Sequence, residues 1–326
     1  MLAAAPRGHY APSPTGPIHV GNARTALAAW LSVRSRGGAF VWRLEDLDTP
    51  RVVPGLAAAQ REDLAWLGLD WDEGPDIGGP YAPYAQSQRS PFYEEALVRL
   101  AAAGRLFPCR RSRKDLAAIA SAPHGPESGA PYPAAFRPER LEPGWLARLQ
   151  GARRPDAAIR FLVAGRPVAW TDRVYGPRVE RVDETVGDFV LKRRDGLYAY
   201  QLAVVVDDLA MGIDDVVRGA DLLGSTARQI QLIAALGGTP PEYAHVPLVV
   251  NERGEKLSKR DGGATLRALR EAGVRPAALT GWLAASLGLL GRPQPCRPGD
   301  LVTGFAWARV RREETVLPAD LAAALR

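Results

Sequence analysis

The chain has 326 residues and a mass of 35.1 kDa, with 46% apolar and 24% charged residues, a net charge of +6 and a pI near 9.5. These values exclude a fibrous or disordered chain and predict a globular protein with two or three cores. Its apolar runs are too short to span a bilayer, and we expect no signal peptide. Two isolated cysteines, Cys109 and Cys296, exclude a disulfide framework and favour a cytoplasmic location.

The N-terminal segment predicts a phosphate-binding turn. A short strand over 8–13 leads through a turn rich in proline and glycine to His19, and then to a helix over 22–36 that Asn22 can cap and Gly37 can end. A helix start of this kind offers unpaired backbone N–H groups and the positive end of the helix dipole, which favour phosphate. The histidine just ahead of the helix could donate to a phosphate oxygen.

The following elements alternate between strands and helices. A strand over 39–44 ends at the segment Glu45-Asp46-Leu47-Asp48, which holds three acidic residues, and helices are predicted over 54–67 and 90–103. This order is typical of a doubly wound, Rossmann-type α/β fold, in which ligands bind at the carboxyl ends of parallel strands.

The pattern changes after residue 103, and we interpret the next segment as an inserted α/β module. A loop is predicted over 121–138 from its proline, alanine and glycine content, and short antiparallel strands over 158–163 and 168–174. The sheet is predicted to resume with strands over 188–191, 199–206 and 246–250, and with a helix over 222–236. The predicted domains are 1–103 and 186–262 for the two halves of a nucleotide-binding domain, 104–185 for the insert, and 263–326 for a helical C-terminal region.

Lysine is scarce in this chain and unevenly placed. Only four of the 42 basic residues are lysines, and two of them, Lys256 and Lys259, lie in the stretch Lys256-Leu257-Ser258-Lys259-Arg260, which we name the lysine loop. Lysine carries a mobile point charge that can follow a moving phosphate, whereas arginine suits a fixed bidentate partner. By itself the loop would be interpreted as a solvated basic turn. Together with the turn at His19 it indicates a site for phosphate chemistry.

The two segments together resemble the signature motifs of class I aminoacyl-tRNA synthetases. The sequence His19-Val20-Gly21-Asn22 is similar to the HIGH-type motif, and the lysine loop is similar to the KMSKS-type motif. The resemblance covers about residues 8–262, and further segments are similar to the glutamyl branch, namely 11–16, 43–48, 86–89, 205–208 and 217–221. We expect no anticodon-binding domain, and in this the chain resembles the glutamyl-queuosine tRNA(Asp) synthetases, ligases that attach glutamate to the queuosine base of tRNA(Asp).

The resemblance implies activation of L-glutamate by ATP and Mg²⁺ to glutamyl-adenylate, followed by transfer to tRNA(Asp) carrying queuosine, in a protein expected to be a monomer. The implied catalytic residues are His19, which would stabilise charge on the α-phosphate, and Lys256 and Lys259, which would stabilise the departing pyrophosphate. Residues implied to bind ATP are Pro12, Gly16, His19, Gly21, Asn22 and Lys259. Residues implied to bind glutamate are His9, Tyr10, Ala11, Pro12, Ser13, Glu45, Tyr200 and Arg218.

Two departures from this family's pattern carry expectations. His9 occupies a position that is usually a glutamate-binding arginine, so we expect weaker glutamate binding or a rearranged pocket. Many glutamyl-queuosine enzymes hold a structural zinc at positions that correspond here to Cys109, Arg111, Tyr132 and Phe136. Two ligands are replaced, Arg111 would repel the ion, and His124 with Cys109 does not complete a site, so we expect no zinc.

Other functions remain open at this stage. A truncated glutamyl-tRNA synthetase that charges tRNA(Glu) would lack its helical anticodon domain. A non-catalytic RNA-binding paralogue is favoured by His9 but not by the intact lysine loop. A small-molecule adenylyltransferase is disfavoured by Glu45, Tyr200 and Arg218 together. Basic residues 110–114 and the C-terminal helices are expected to hold the RNA stem-loop, although a basic surface alone does not distinguish RNA binding from arginine-rich composition.

Overall fold

The computed structural model describes residues 5–111, 131–152, 155–257 and 264–326. The strands are β1 (Arg7–Tyr10), β2 (Ala39–Trp42), β3 (Leu106–Cys109), β4 (Ala158–Phe161), β5 (Val168–Asp172), β6 (Gly176–Glu180), β7 (Phe189–Lys192), β8 (Asp215–Gly219), β9 (Glu242–Val246), β10 (Val249–Val250) and β11 (Thr315–Val316). The helices are α1 (Val20–Arg34), α2 (Leu56–Leu67), α3 (Ser90–Ala102), α4 (Trp145–Gly151), α5 (Val182–Thr185), α6 (Tyr200–Ala210), α7 (Thr226–Ala235), α8 (Leu266–Glu271), α9 (Pro276–Leu287) and α10 (Leu321–Leu325).

A six-stranded sheet with the order β2-β1-β8-β9-β5-β6 forms the centre of the fold. Its pairs are parallel except for β5 with β6, which are antiparallel. The predicted doubly wound sheet is therefore confirmed. Helix α1 packs on β1 and β8 and also contacts α9. Gly8 permits this close approach, because a Cβ there would lie 2.5 Å from Cγ2 of Val33 and 3.1 Å from the carbonyl oxygen of Asp215.

Part of the predicted insert is hydrogen-bonded into the central sheet. The β5–β6 hairpin, within residues 104–185, pairs in parallel with β9 where Asp172 faces Tyr243. Strands β3, β4 and β7 instead form a separate antiparallel sheet. The predicted domain boundaries stay a prediction, and these pairings show that the chain crosses between the two sheets more than once.

The strand predicted over 199–206 is wrong, because these residues begin helix α6. The apolar run Leu202–Val206 is buried along its whole length, and such a run fits a buried helix as well as a buried strand. The helix continues past the predicted strand through Asp207 and Asp208. The strand predicted over 246–250 is divided between β9 and β10.

The C-terminal segment packs against the first helix and against the strand before the lysine loop. Strand β11 pairs in parallel with β10, with Thr315 opposite Val249. The buried side chain of Arg24 donates to Oγ1 of Thr315 at 2.9 Å and to the carbonyl oxygen of Pro247. Within the described ranges, the helices are too short or too polar to cross a membrane.

Candidate active site

A cavity of about 1030 Å³ opens at the carboxyl ends of β1 and β8, beside the start of α1. Every predicted site residue within the described ranges lines it: His9, Tyr10, Ala11, Pro12, Ser13, Gly16, His19, Gly21, Asn22, Glu45, Tyr200, Arg218 and Lys256. Lys259 lies outside the described residues. The fold thus gathers segments that are far apart in the chain at the edge where doubly wound sheets bind ligands.

His19, rather than Asn22, is the N-cap of α1. Its Nδ1 accepts the backbone N–H of Asn22 at 3.3 Å, so the proton of a neutral ring lies on Nε2. A Cβ at Gly21 would lie 3.1 Å from the His19 ring, so glycine two positions after the cap leaves room for that ring. The helix start and its positive dipole end therefore border the cavity, as anion binding requires.

Lys256 forms an ion pair with Asp221, and both side chains line the cavity. The sequence analysis placed these residues in separate motifs and missed their contact. The adjoining Leu257 is buried and anchors the start of the lysine loop in the core. The carboxylate thus holds the ammonium group at the cavity wall, although the Lys256 side chain is still 56% exposed to solvent.

Glu45 shares a buried cation with Asp208. Arg43, whose side chain is fully buried, donates to Oδ1 of Asp208 at 2.6 Å and to Oε1 of Glu45 at 3.3 Å. Burial raises the pKa of Glu45 to about 7, although Arg43 opposes the shift. A carboxyl group that titrates near neutrality at a cavity wall is suited to bind an ammonium group, which would stabilise its charged form.

Arg218 is 7% exposed and is held by three protein acceptors. Its Nε donates to His245 Nε2 at 2.9 Å, its Nη1 to Gln229 Oε1 at 2.6 Å and its Nη2 to Thr226 Oγ1 at 2.9 Å. Only Arg218 was identified from the sequence, since its partners carry no motif signal. This cation is fixed in orientation before any ligand arrives.

His9 lies beside Arg43, with 3.4 Å between its Nε2 and Nη2 of Arg43. Because the guanidinium can only donate, Nε2 is the acceptor and the ring proton lies on Nδ1. Nδ1 is 3.9 Å from Oδ1 of Asp208, beyond hydrogen-bond distance, and is buried. Burial, with the charges of Arg43 and Arg218, lowers the pKa of His9 well below 6.5. The residue is therefore a neutral donor and not a substitute cation.

The segment 86–89 contacts Asp207, the first of the two aspartates of α6. Asp207 accepts hydrogen bonds from Gln86 Nε2 at 2.7 Å, Arg89 Nε at 2.6 Å and the hydroxyl of Tyr93 at 3.0 Å. All four side chains are buried. This network explains why a polar segment that does not line the cavity belongs with the site, since it fixes the helix that carries Tyr200.

The positions that correspond to the zinc ligands come together in space without a zinc-binding donor set. Cys109 Sγ lies 3.3 Å from the hydroxyl of Tyr132, and Arg111 stacks over the ring of Phe136 at 4.2 Å. A guanidinium and a phenyl ring cannot replace two zinc ligands. No group of three or more histidine, cysteine or acidic side chains suited to a metal occurs within the described ranges, which do not include His124. The absence of zinc stays a prediction.

Comparisons with known proteins identify what the chain is similar to. The family described as "tRNA synthetases class I (E and Q), catalytic domain" matches residues 7–291. Proteins named glutamyl-Q tRNA(Asp) synthetase are 49% identical in Symbiobacterium thermophilum (98% of both chains) and 46% identical in Nitratidesulfovibrio vulgaris (97% of this chain and 96% of the relative). A crystal structure of a glutamate tRNA ligase from Elizabethkingia meningosepticum, in complex with its amino acid, superposes with a TM-score of 0.84 at 29% identity, over 98% of this chain and 68% of that one.

Proposed function

Because the chain belongs to the family of class I tRNA synthetases for glutamate and glutamine, we propose that it activates L-glutamate with ATP and transfers the glutamyl group to the queuosine base of tRNA(Asp). The observation that carries this proposal is that one cavity is lined both by groups suited to phosphate and by groups suited to an amino acid. His19 and Lys256 suit the first task, and Glu45 and Arg218 suit the second. The names of the relatives from S. thermophilum and N. vulgaris support the choice of nucleic acid.

In the activation step, an oxygen of the glutamate α-carboxylate attacks the α-phosphorus of ATP, and pyrophosphate leaves with the electrons of the broken P–O bond. Catalysis of this displacement rests on positioning and charge stabilisation. The Nε2–H of His19 and the start of α1 would stabilise charge on the α-phosphate, while Lys256 and Lys259 would stabilise the pyrophosphate. Mg²⁺ would enter with ATP, held mainly by phosphate oxygens and water.

The amino-acid pocket supplies one group for each end of glutamate. Glu45 would pair with the α-ammonium group, and Arg218 with Tyr200 would bind the carboxylate side. Residues 9–13 would form the wall beside the reacting carboxylate, with Pro12 shared by both substrates. These assignments are supported by the position of all these residues around one cavity.

We also propose that the protein is a monomer and acts in the cytoplasm, where its two cysteines need no disulfide partner. Both Cys109 and Cys296 are free thiols in the structure. A second candidate function, charging of tRNA(Glu), is favoured by the similarity to a glutamate tRNA ligase over 98% of this chain. The two functions share the activation step and differ only in the RNA acceptor.

The test is transfer of labelled glutamate, with ATP present, to three purified RNAs: tRNA(Asp) with queuosine, the same tRNA without queuosine, and tRNA(Glu). We expect label only on the queuosine-bearing tRNA(Asp). Label on tRNA(Glu) would support the second candidate instead. Label on none of the three, from a protein that still binds tRNA, would support a non-catalytic RNA-binding function.

A further inference from the structure

A line of three buried side chains runs from the cavity wall into the central sheet. Arg218 lines the cavity and donates from Nε to Nε2 of His245 at 2.9 Å, and Nδ1 of His245 lies 2.6 Å from Oδ2 of Asp172. His245 and Asp172 are 0% and 1% exposed, and neither lines the cavity. The side-chain hydrogen bond that links these two residues to the cavity wall is the one from His245 to Arg218.

The two hydrogen bonds of His245 determine where its proton lies. Its Nε2 faces a guanidinium N–H and must accept, so the ring proton is on Nδ1 and is donated to Asp172. Burial lowers the pKa of His245, which keeps the ring neutral. Burial alone would raise the pKa of Asp172, but the bonds from His245 and from the backbone N–H groups of Tyr175 and Val174 outweigh it and lower that pKa.

The remaining contacts of Arg218 leave it able to bind a substrate oxygen. A guanidinium has five N–H donors, and the contacts of Arg218 with described residues use one on each nitrogen, with Gln229 and Thr226 as the other acceptors. As far as the described residues go, one N–H on each of Nη1 and Nη2 remains for a ligand. A carboxylate is the anion that such paired donors suit.

We propose that Asp172 and His245 are positioning residues, which hold Arg218 in the orientation that binds the carboxylate side of glutamate. The inference rests on the proposed function, since it assumes that Arg218 binds glutamate. Asp172 holds the proton on Nδ1, so the lone pair of Nε2 faces Arg218, and Arg218 loses its rotational freedom before the substrate binds. A cation ordered in advance sacrifices less entropy on binding, which lowers the substrate's dissociation constant.

The placement of Asp172 gives this line a structural basis. Asp172 is the last residue of β5, the strand that joins the β5–β6 hairpin to β9, and His245 lies on β9 itself. The hairpin thus supplies a buried carboxylate, Asp172, that acts on Arg218 through His245. Asp172 lies 46 positions before Arg218 in the chain. No motif near residue 172 indicated this role.

Three substitutions test the inference. In Asp172→Asn, the new amide can donate to Nδ1 and shift the ring proton to Nε2, where it would face the N–H of Arg218. His245→Leu removes the acceptor, whereas His245→Gln places an amide oxygen near the position of Nε2 and should rescue. The matched control is Asp188→Asn, which removes a buried carboxylate that pairs with Arg137 of the predicted insert at 2.7 Å and does not line the cavity.

The measurement is glutamate-dependent exchange of pyrophosphate into ATP, with and without tRNA, in variants whose melting temperature is recorded. We expect Asp172→Asn and His245→Leu to raise the KM for glutamate by roughly tenfold or more, because a charged hydrogen bond is misaligned, and to leave the KM for ATP within about twofold. His245→Gln should stay within about threefold of the unaltered protein. Asp188→Asn should lower the melting temperature without changing either KM.

Several results would overturn the inference. These are an unchanged KM for glutamate in folded Asp172→Asn and His245→Leu, an equal rise from Asp188→Asn, or no rescue by glutamine. If both variants fail to fold, ¹⁵N NMR of the unaltered protein, labelled at histidine, decides between the two ring tautomers. The signals of His245 are identified as those missing from the spectrum of His245→Gln. A proton on Nδ1 supports the inference, and a proton on Nε2 overturns it. Absence of glutamate-dependent exchange in the unaltered protein would instead remove the proposed function, and the inference with it.

Discussion

The ammonium group of Lys256 pairs with the carboxylate of Asp221, so two segments that are 35 residues apart meet at the wall of the cavity. The pair holds the start of the lysine loop beside the strand end that carries Arg218. Asp221 thereby keeps a mobile cation close to the place where the proposed reaction needs it. In the proposed mechanism, Lys256 exchanges this carboxylate for the oxygens of pyrophosphate.

Substitution of Lys256 tests this exchange. Lys256→Ala is expected to slow adenylate formation by about 100-fold, because one of the cations that stabilise the leaving pyrophosphate is lost. Single-turnover formation of glutamyl-adenylate measures the effect. Lys259→Ala, at a position outside the described residues, is expected to abolish adenylate formation while tRNA binding stays nearly intact.

The matched control for Lys256 is Arg253→Ala, which removes an exposed cation from the same segment outside the cavity lining. Adenylate formation should stay within about twofold of the unaltered protein, since the lost charge does not border the substrate. An equal loss in Arg253→Ala and Lys256→Ala would mean that only the general positive potential of this segment matters.

The titration of Glu45 predicts a pH dependence of glutamate binding. The pKa of Glu45 is raised to about 7 by burial, and the carboxyl must lose its proton before it can pair with an ammonium group. At saturating ATP, kcat/KM for glutamate should therefore rise about tenfold per pH unit below pH 7 and level off above it. A profile from pH 5.5 to 8.5 would measure this.

Glu45→Gln separates this carboxyl from other titrating groups. The variant is expected to raise the KM for glutamate by roughly 100-fold, since a charged partner of the ammonium is lost, and to flatten the profile. Persistence of the same slope in Glu45→Gln would assign the titration to another group, and the raised pKa of Glu45 would then have no part in binding.

His9→Arg tests the consequence of a neutral donor at a position where arginine is usual. We expect the KM for glutamate to fall by about tenfold, because a charged donor to the substrate carboxylate is added where the ring nitrogens of His9 face Arg43 and Asp208. The control is His9→Asn, which keeps a neutral donor and should stay within about threefold. A higher KM in His9→Arg would show that the pocket has been rebuilt around histidine, with Arg43 too close to tolerate a second cation.

The metal content of the insert can be measured directly. We expect less than about 0.1 zinc per chain by elemental analysis of the purified protein, and no change in melting temperature on treatment with a strong chelator. The physical reason is that, of the four positions that correspond to zinc ligands, only Cys109 and Tyr132 remain as donors, while the guanidinium of Arg111 stacks over the ring of Phe136. Stoichiometric zinc would contradict the expectation and would point to ligands among residues 112–130.

Much of the fold near the N-terminus was predictable, because its elements are short, are bounded by glycine or proline, and show a clear periodicity of apolar residues. Helix α2 was predicted over 54–67 and begins two residues later, at Leu56. The segment 199–206 could not be resolved from the sequence, since three consecutive valines lack a period that distinguishes a buried strand from a buried helix. Its position became clear only through the buried pairs that Asp207 and Asp208 make with distant arginines.

The same distinction holds for the candidate site: residues within a local motif could be predicted, and residues that act through distant contacts could not. The site residues named from the sequence lie in recognisable motifs, and all of those in the described chain line the cavity. Other residues of the cavity wall, such as Gln60, were not named because they carry no motif signal. The residues that hold the named ones were missed, because contacts such as Asp172 with His245 join positions 73 apart and depend on strand register. The neutral state of His9 could not be predicted from the sequence either, since it follows from burial and from the neighbouring Arg43.

The pairing of β10 with β11 affects when the active site can be completed during synthesis. Strand β10 precedes the lysine loop, while its partner strand β11 begins at Thr315, which binds the buried Arg24 from 291 positions later in the sequence. Helix α1 and the base of the loop therefore cannot reach their final packing until residues 315–316 have been synthesised. A nascent chain would carry the motifs for ATP long before it could use them.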